Sequence, residues 1–137
     1  MRIERTEDTE LVSWTRKWLG EHNEQFVAWD HAAVFFVAYD DAGDVTGSLS
    51  ASICWGKLRV DNLVVRADCR GRGIGTALME RAETAARDAG CSGVYLDTMS
   101  FQALGFYERL GYSEYGTLDG FAADATRHYL HKAIDAA

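Results

Sequence analysis

The chain has 137 residues, a length that suits one domain with one hydrophobic core. Hydrophobic residues make up 47% of it and charged residues 26%, which excludes a disordered chain. The formal net charge of −7 argues against a nucleic-acid partner, because phosphate binding requires clusters of basic residues.

Targeting signals and membrane segments are absent from the sequence pattern. No apolar run approaches the ~18–20 residues of a membrane span. The first ten residues, M-R-I-E-R-T-E-D-T-E, are charged and lack the apolar stretch of a signal peptide. We therefore expect a soluble, cytoplasmic protein without a membrane partner, folded as one domain over residues 1–137.

Cysteine and histidine spacing gives no sign of a metal site. Cys54, Cys69 and Cys91 are odd in number and show no C-x-x-C spacing, so neither a disulfide framework nor a zinc site is expected. His128 and His131 are three residues apart in a predicted strand and should face opposite sides. We predict that the protein holds no metal.

Hydrophobic periodicity divides the chain into short elements without repeats or linkers. A short strand is expected over 1–5, a helix over 8–20 ending at Gly20, a short helix over 24–31, and a hairpin of strands 32–39 and 45–56 around a turn at 40–44. A strand over 57–66 then precedes a glycine loop, a helix over 73–89 capped by Gly90, a strand over 93–98, a helix over 101–110 capped by Ser100 and closed by Gly111, and two strands near 112–118 and 126–132.

The glycine loop directly before the helix is a potential anion site. Several N–H groups at a helix N-terminus are unpaired and lie at the positive end of the helix dipole. The loop lacks the P-loop string, and Thr76 breaks the dinucleotide-binding pattern G-x-G-x-x-G. The spacing that fits is R-x-x-G-x-G, formed by Arg70, Gly73 and Gly75 after an L-V-V strand end.

With this string the chain resembles the GNAT superfamily of acetyl-coenzyme-A-dependent N-acetyltransferases. A second motif of that superfamily, A-L-G-F-Y-E-R-L-G-Y, lies at residues 103–112, one helix and one strand downstream. The resemblance covers about residues 32–132. It implies an α/β fold with a mixed central sheet of six to seven strands, splayed between two parallel strands and flanked by about four helices.

The resemblance also implies how acetyl coenzyme A, the acetyl donor, is bound. Its pyrophosphate would lie on the backbone N–H groups of the glycine loop, and Arg70 and Arg72 would contact phosphate or remain solvated. Its pantetheine arm would pair with the last strand residues, where the N–H of Val65 would polarise the thioester. The coenzyme-binding residues are thus Leu63, Val64, Val65, Arg70, Gly71, Arg72, Gly73, Ile74, Gly75 and Thr76, with Ser100 either contacting the coenzyme or only capping its helix.

For the chemistry, the resemblance implies direct attack of an amine on the thioester, with Tyr107 as the general acid that protonates the leaving thiolate. Tyr107 could instead be a core aromatic. An alkylammonium, with a pKa near ~10, must lose a proton before it attacks. Asp61 and Asp97 at the strand ends are the candidate bases, although each could be an ordinary turn or edge charge.

The acceptor is expected to be a primary amine of a small molecule or a lysine side chain. Its pocket should come from residues 14–31, the strand end near Trp55 and the segment 115–121. Candidate substrate contacts are Glu21, His22, Asn23, Trp55 and Gln102.

Two alternatives stay open at this point: a non-catalytic module that binds coenzyme A and regulates a partner, and transfer of a longer acyl group. A homodimer is also expected to be feasible, because sheets with exposed edges can pair.

Overall fold

The computed structural model describes residues 1–135. The chain divides into two compact units, Met1–Asp30 and His31–Ala137, and each is considered by itself. That residues 1–137 form a single domain therefore stays a prediction.

The first unit consists of an irregular segment and one helix, α1 (Thr9–Asn23). The side chain of Asp8 caps α1 by accepting a hydrogen bond of 2.9 Å from the N–H of Glu10. The strand predicted over 1–5 is wrong, since residues 1–8 have no regular structure. The charged side chains of this segment instead form surface ion pairs between near neighbours, such as Arg2 with Glu4.

Helix α1 runs through the residue at which it was predicted to stop. Gly20 lies inside the helix without a positive φ, and the helix ends at Asn23 with Glu24 as its C-cap. The short helix predicted over 24–31 is wrong: hydrogen bonds to the Asn23 carbonyl close a turn, and residues 28–31 are irregular. A glycine alone does not end a helix when the following residues can still supply backbone hydrogen bonds.

The second unit is built on a six-stranded mixed sheet. Its strands follow the order β1-β2-β3-β4-β6-β5, and among residues 31–135 only the β3–β4 pair is parallel. The strands are β1 (Ala32–Tyr39), β2 (Val45–Cys54), β3 (Lys57–Val65), β4 (Gly93–Met99), β5 (Ser113–Leu118) and β6 (Arg127–Ala133). The mixed α/β architecture predicted from the sequence is confirmed.

Two α-helices and two 3₁₀ turns complete this unit. They are α2 (Ile74–Asp88), α3 (Leu104–Arg109) and the 3₁₀ turns Ala67–Cys69 and Ala122–Asp124. Residues 1–135 thus contain three α-helices, where about four were expected. In this part of the chain no helix is long and apolar enough to span a membrane.

The core lies between α2 and one face of the sheet. A stripe of α2 is buried, formed by Leu78, Met79, Ala82, Glu83 and Ala86. It contacts strands β1 to β4, whose inward residues include Leu49, Leu58 and Val94. Along β4 the buried residues alternate with partly exposed ones, so Tyr95 and Asp97 point to the opposite side. We call this opposite side of the sheet the front face; Arg59, Tyr95, Asp97, Arg127 and His131 belong to it.

Both core helices end in the same glycine motif. Gly90 has φ +75°, and the N–H of the following Cys91 donates to the Ala86 carbonyl. Gly111 has φ +95°, and Tyr112 donates to the Tyr107 carbonyl in the same way. The predicted glycine caps are confirmed.

The predicted helix start at Ser100 is wrong. Helix α3 begins only at Leu104, with Ala103 as N-cap and no side-chain cap. The Ser100 hydroxyl instead accepts a hydrogen bond of 3.0 Å from the N–H of Thr126. Ser100 therefore ties the end of β4 to the start of β6.

Candidate functional site

The two parallel strands separate soon after they begin. β3 and β4 pair only at Lys57–Gly93, Leu58–Val94 and Arg59–Tyr95. A β-bulge at Asp61 then bends β3, which goes on pairing with β2 as far as Val65, while β4 goes on pairing with β6. We call the opening between Val60–Val65 and Leu96–Met99 the fork. It is the splay that was predicted between these strands.

Backbone groups of β3 point into the fork. The N–H of Arg66 donates to the carbonyl of Thr46 at 2.8 Å, which fixes the antiparallel alternation along β2 and β3. Residues that bond β2 alternate with residues that face away from it. Val64 therefore faces β2, whereas the N–H and C=O groups of Leu63 and Val65 face the fork.

The same reasoning applies to β4. The N–H of Ser100 donates to the Thr126 carbonyl, so Asp97 and Met99 turn their backbone groups towards the fork. Gln102 occupies both groups of Met99: its Oε1 accepts from the Met99 N–H at 2.7 Å, and its own N–H donates to the Met99 carbonyl at 2.9 Å. Gln102 thus holds the end of β4, a role that sequence reasoning missed because nothing local indicated it.

Beyond β3, the glycine loop leaves donors free at the start of α2. Gly71 and Gly73 have φ +77° and +82°, and Gly73 is the N-cap without a side-chain cap. Within residues 1–135 no acceptor pairs with the N–H groups of Gly73, Ile74, Gly75 and Thr76. Four donors at the positive end of a 15-residue helix form a site suited to phosphate.

The two loop arginines are both exposed, but they differ in their contacts. Nε of Arg70 donates to the carbonyl of Val65 at 3.2 Å, so its side chain crosses the end of the fork. Arg72 forms no ion pair with the residues described by the structure. Both guanidinium groups are available to an anionic ligand.

Three sequence motifs converge at one point of this unit. A Cβ atom added at Gly75 would lie 3.2 Å from the Phe106 ring and 3.7 Å from Cγ2 of Val65. Helix α3 therefore packs directly on the first turn of α2, beside the end of β3. The L-V-V strand end, the glycine loop and the 103–112 motif therefore lie side by side.

Tyr107 is next to this contact. Its side chain is 8% exposed, and its ring lies 5.0 Å from Phe106 and 6.1 Å from Tyr112, both in edge-on geometry. Burial raises the pKa of the Tyr107 hydroxyl and so favours its neutral, protonated form. The hydroxyl of Tyr112 is enclosed without a partner among the described residues, whereas that of Tyr107 is not enclosed.

Asp61 and Asp97 both take part in ion pairs on the front face. Arg59 lies between them, with nitrogen–oxygen distances of 3.6 Å to Asp61 and 3.7 Å to Asp97. Asp97 has a second partner, Arg127, at 3.5 Å. The structure thus brings both predicted carboxylates to the fork, but Asp97 is shared by two guanidinium groups.

The predicted substrate residues fall in different parts of the chain. Trp55 lines a front-face cavity of about 500 Å³, together with Tyr115 from the predicted segment 115–121. Gln102 holds β4 as described above. Glu21, His22 and Asn23 form the last turn of α1 in the first unit, and their role stays a prediction.

Within residues 1–135, no group of three or more His, Cys, Asp or Glu side chains is arranged to hold a metal ion. Cys54, Cys69 and Cys91, all within the described residues, form no disulfide. Nδ1 of His128 lies 2.6 Å from Oε2 of Glu114, whereas Nε2 of His131 contacts Nζ of Lys57. The two histidines therefore have different partners.

Comparison with known proteins gives a consistent result. The model of the acetyltransferase (GNAT) family matches residues 3–112. A blasticidin-S acetyltransferase from Streptomyces morookaense is 39% identical over 98 residues, which are 71% of this chain and 72% of the relative.

Solved structures agree with the match. An acetyltransferase from Bacillus cereus superposes with a TM-score of 0.89 at 26% identity, over 98% of both chains. The structure of a Bacillus anthracis protein was solved in complex with acetyl coenzyme A, and that protein is described as a streptothricin acetyltransferase by inference. It superposes with a TM-score of 0.68 at 19% identity. It matches 74% of this chain and 62% of its own, and it supports the fold alone.

Proposed function

Because the chain belongs to the acetyltransferase (GNAT) family, whose members use acetyl coenzyme A, we propose that it transfers the acetyl group to a primary amine. The acceptor is a small molecule or a lysine side chain. The similarity to a blasticidin-S acetyltransferase favours the small molecule. Cytoplasmic location and pairing into a homodimer stay predictions.

One observation carries this proposal: free backbone donors of β3 and α2 converge at the end of the fork. The N–H groups of residues 73–76, with Gly71, Arg70 and Arg72 beside them, fit a pyrophosphate. The fork-facing groups of Leu63 and Val65 fit an extended amide-bearing arm, which pairs like an added strand. Val64 lies between them and bonds β2. On the other side of the fork, Ser100 and Gln102 hold the end of β4 through hydrogen bonds to Thr126 and Met99.

When bound, acetyl coenzyme A supplies an activated thioester. The N–H of Val65, the predicted donor, and that of Leu63 both face the fork and would donate to the carbonyl oxygen as negative charge develops on it. Tyr107 holds the proton for the departing sulfur, since a tyrosine hydroxyl is neutral at pH 7 and burial raises its pKa further. The amine attacks directly, and none of the three cysteines is needed as a nucleophile.

The proton of the acceptor ammonium passes to a front-face carboxylate. Asp61 is the better candidate, since one guanidinium contacts it and the bulge brings it to the point where the fork opens. Asp97 lies within ion-pair distance of two arginines, Arg59 at 3.7 Å and Arg127 at 3.5 Å.

The proposal is tested with Tyr107→Phe, which keeps the ring and removes the hydroxyl. Thiol release is measured against a panel of amines: polyamines, aminoglycosides, amino acids and lysine peptides. We expect kcat to fall by roughly 10²–10⁴-fold, with little change in the affinity for acetyl coenzyme A.

The same assay separates the alternatives. Tight coenzyme binding without turnover of any amine would favour a non-catalytic regulatory module. Faster turnover with a longer acyl donor would favour a different acyltransferase. Absence of coenzyme binding would overturn the assignment of residues 70–76 altogether.

A further inference from the structure

A front-face cavity lies at the closed end of the fork. Its volume is about 500 Å³, and it is lined by Cys54, Trp55, Lys57, Tyr95, Tyr115 and His131. Lys57 and Tyr95 belong to the short segment in which β3 and β4 are still paired. The cavity therefore lies beside the paired segment of β3 and β4, at the end of the fork opposite to the glycine loop.

A single positive charge lies in this cavity. Nζ of Lys57 is 3.0 Å from Nε2 of His131. An ammonium group can only donate, so Nε2 is the acceptor and carries no proton. Burial, and then the charge of Lys57, lower the pKa of His131, which is thus neutral at pH 7.

Lys57 has no carboxylate within ion-pair distance among residues 1–135, unlike Arg59 and Arg127 on the same face. Its ammonium group retains donors for a ligand, while the neutral His131 orients it. The Lys57 ammonium is surrounded by aromatic side chains and has no carboxylate partner in the described part of the chain. The cavity therefore favours a ligand that carries a negative charge.

The walls of the cavity are flat aromatic rings. Tyr115 packs 6.2 Å from Tyr129 on one side. On the other side Trp55 occupies the first central position of the two-residue β2–β3 turn, with φ +51° followed by Gly56 at φ +81°. That position ordinarily takes asparagine, aspartate or glycine, so a tryptophan here is strained.

The spacing between cavity and fork limits the length of that ligand. Tyr95 lines the cavity, and Asp97 and Met99 are two and four residues further along β4. At about 3.3 Å per residue, these positions are ~7 and ~13 Å away. One small molecule can therefore reach both places.

We propose that this cavity binds the carboxylate of the acceptor, so that the substrate is a flat amino acid-like molecule with its amine and its carboxylate at opposite ends. Lys57 binds the carboxylate, His131 positions Lys57, and Trp55, Tyr95 and Tyr115 hold the flat body. The inference rests on the proposed acetyltransferase function, which brings the amine to the fork.

The test compares two matched probes, para-aminomethylbenzoate and its neutral amide, para-aminomethylbenzamide. We expect the protein to acetylate the acid with a kcat/KM at least about 10-fold above that of the amide, as for a charge-assisted hydrogen bond. Lys57→Met should remove this preference, lowering kcat/KM for the acid by about 10- to 100-fold while leaving the amide and the KM for acetyl coenzyme A unchanged.

Two control variants separate charge from position. Lys57→Arg keeps the charge and should keep most of the preference for the acid. Arg87→Gln removes one positive charge from the last turn of α2 and should leave the preference intact. Equal rates for acid and amide in the parent protein, or equal losses on both in Lys57→Met, would overturn the proposal.

Direct binding keeps this test independent of turnover. Calorimetric titration of para-aminomethylbenzoate into the protein with coenzyme A should show binding that Lys57→Met abolishes. If neither probe is acetylated but this binding is seen, the acetyltransferase proposal is weakened and the cavity assignment stands. If the parent protein does not bind the probe, or Lys57→Met binds it as well, the cavity assignment fails.

Discussion

At the scale of single residues, two neighbouring glycines are required for different reasons. Gly73 has a positive φ, and a Cβ atom there would meet no other atom within 4 Å. Gly75 has ordinary helical geometry, but its Cβ would press on the Phe106 ring at 3.2 Å. The first glycine is needed by the backbone, and the second by the packing of α3 on α2.

A double-mutant cycle distinguishes these causes. Gly75→Ala should destabilise the protein by about 1–3 kcal/mol through overpacking, and Phe106→Leu should relieve part of that cost. Gly73→Ala should cost about 1–2 kcal/mol through backbone strain, and this cost should be the same with Phe or Leu at position 106. Urea denaturation of the six proteins gives both coupling energies. Additive costs for Gly75→Ala and Phe106→Leu would contradict the packing explanation.

The two front-face carboxylates allow a second comparison. Asp61→Asn should lower kcat by roughly 10²–10⁴-fold, as expected for a lost general base. Asp97→Asn should lower it less, since that carboxylate is held by Arg59 and Arg127. Steady-state rates with one good amine, measured from pH 6 to 9, check this. A larger loss in Asp97→Asn would reverse the assignment.

At the scale of elements, β3 presents its backbone alternately to β2 and to the fork. Sequence reasoning found the strand, the glycine loop and the helix, because each depends on local patterns. It could not find the bulge at Asp61, which depends on the register of β3 against β2. It also missed the bonds between Gln102 and Met99, three residues apart, because no local residue pattern marked that turn. It also misjudged Ser100, whose hydroxyl meets Thr126, 26 residues away, instead of capping α3.

The alternation predicts an amide-exchange pattern. In the free protein the N–H of Val65 should exchange fast and that of Val64 slowly, because only Val64 is bonded to β2. Adding coenzyme A should slow exchange at Leu63 and Val65 and leave Val64 unchanged. Nuclear magnetic resonance exchange measurements resolve these amides. Equal protection of Val64 and Val65 without coenzyme would show that the orientation is wrong.

At the scale of the whole molecule, two buried tyrosines connect stability with pH. Burial raises the pKa of Tyr107; burial, and then the charges of Glu83 and Tyr107, raise that of Tyr112. Both pKa values lie above that of an unfolded tyrosine, about 10. The stabilisation by the neutral hydroxyls is thus complete below pH ~10 and is lost as the pH rises through the folded pKa values.

We therefore expect the free energy of unfolding to fall above pH ~10 by up to about 1.4 kcal/mol per pH unit for each tyrosine. Tyr112→Phe should make this fall shallower. It should also stabilise the protein at pH 8 by about 1–2 kcal/mol, because it removes an enclosed hydroxyl without a partner. Urea midpoints at pH 8 and pH 11 test both effects. A lower midpoint for Tyr112→Phe at pH 8 would mean that this hydroxyl is satisfied in solution.

The brevity of the β3–β4 pairing also has a mechanical consequence. Three residue pairs connect β1-β2-β3 to β4-β6-β5, so the sheet is two ladders with a short hinge between them. Small rotations about such a hinge widen or narrow the fork without breaking hydrogen bonds in either ladder. Helix α2 contacts β3 and also β4 and thereby limits the rotation. A ligand that pairs with both β3 and β4 would act as a further strand and prevent this rotation. The width of the fork would then be set by the bound ligand as well as by the protein.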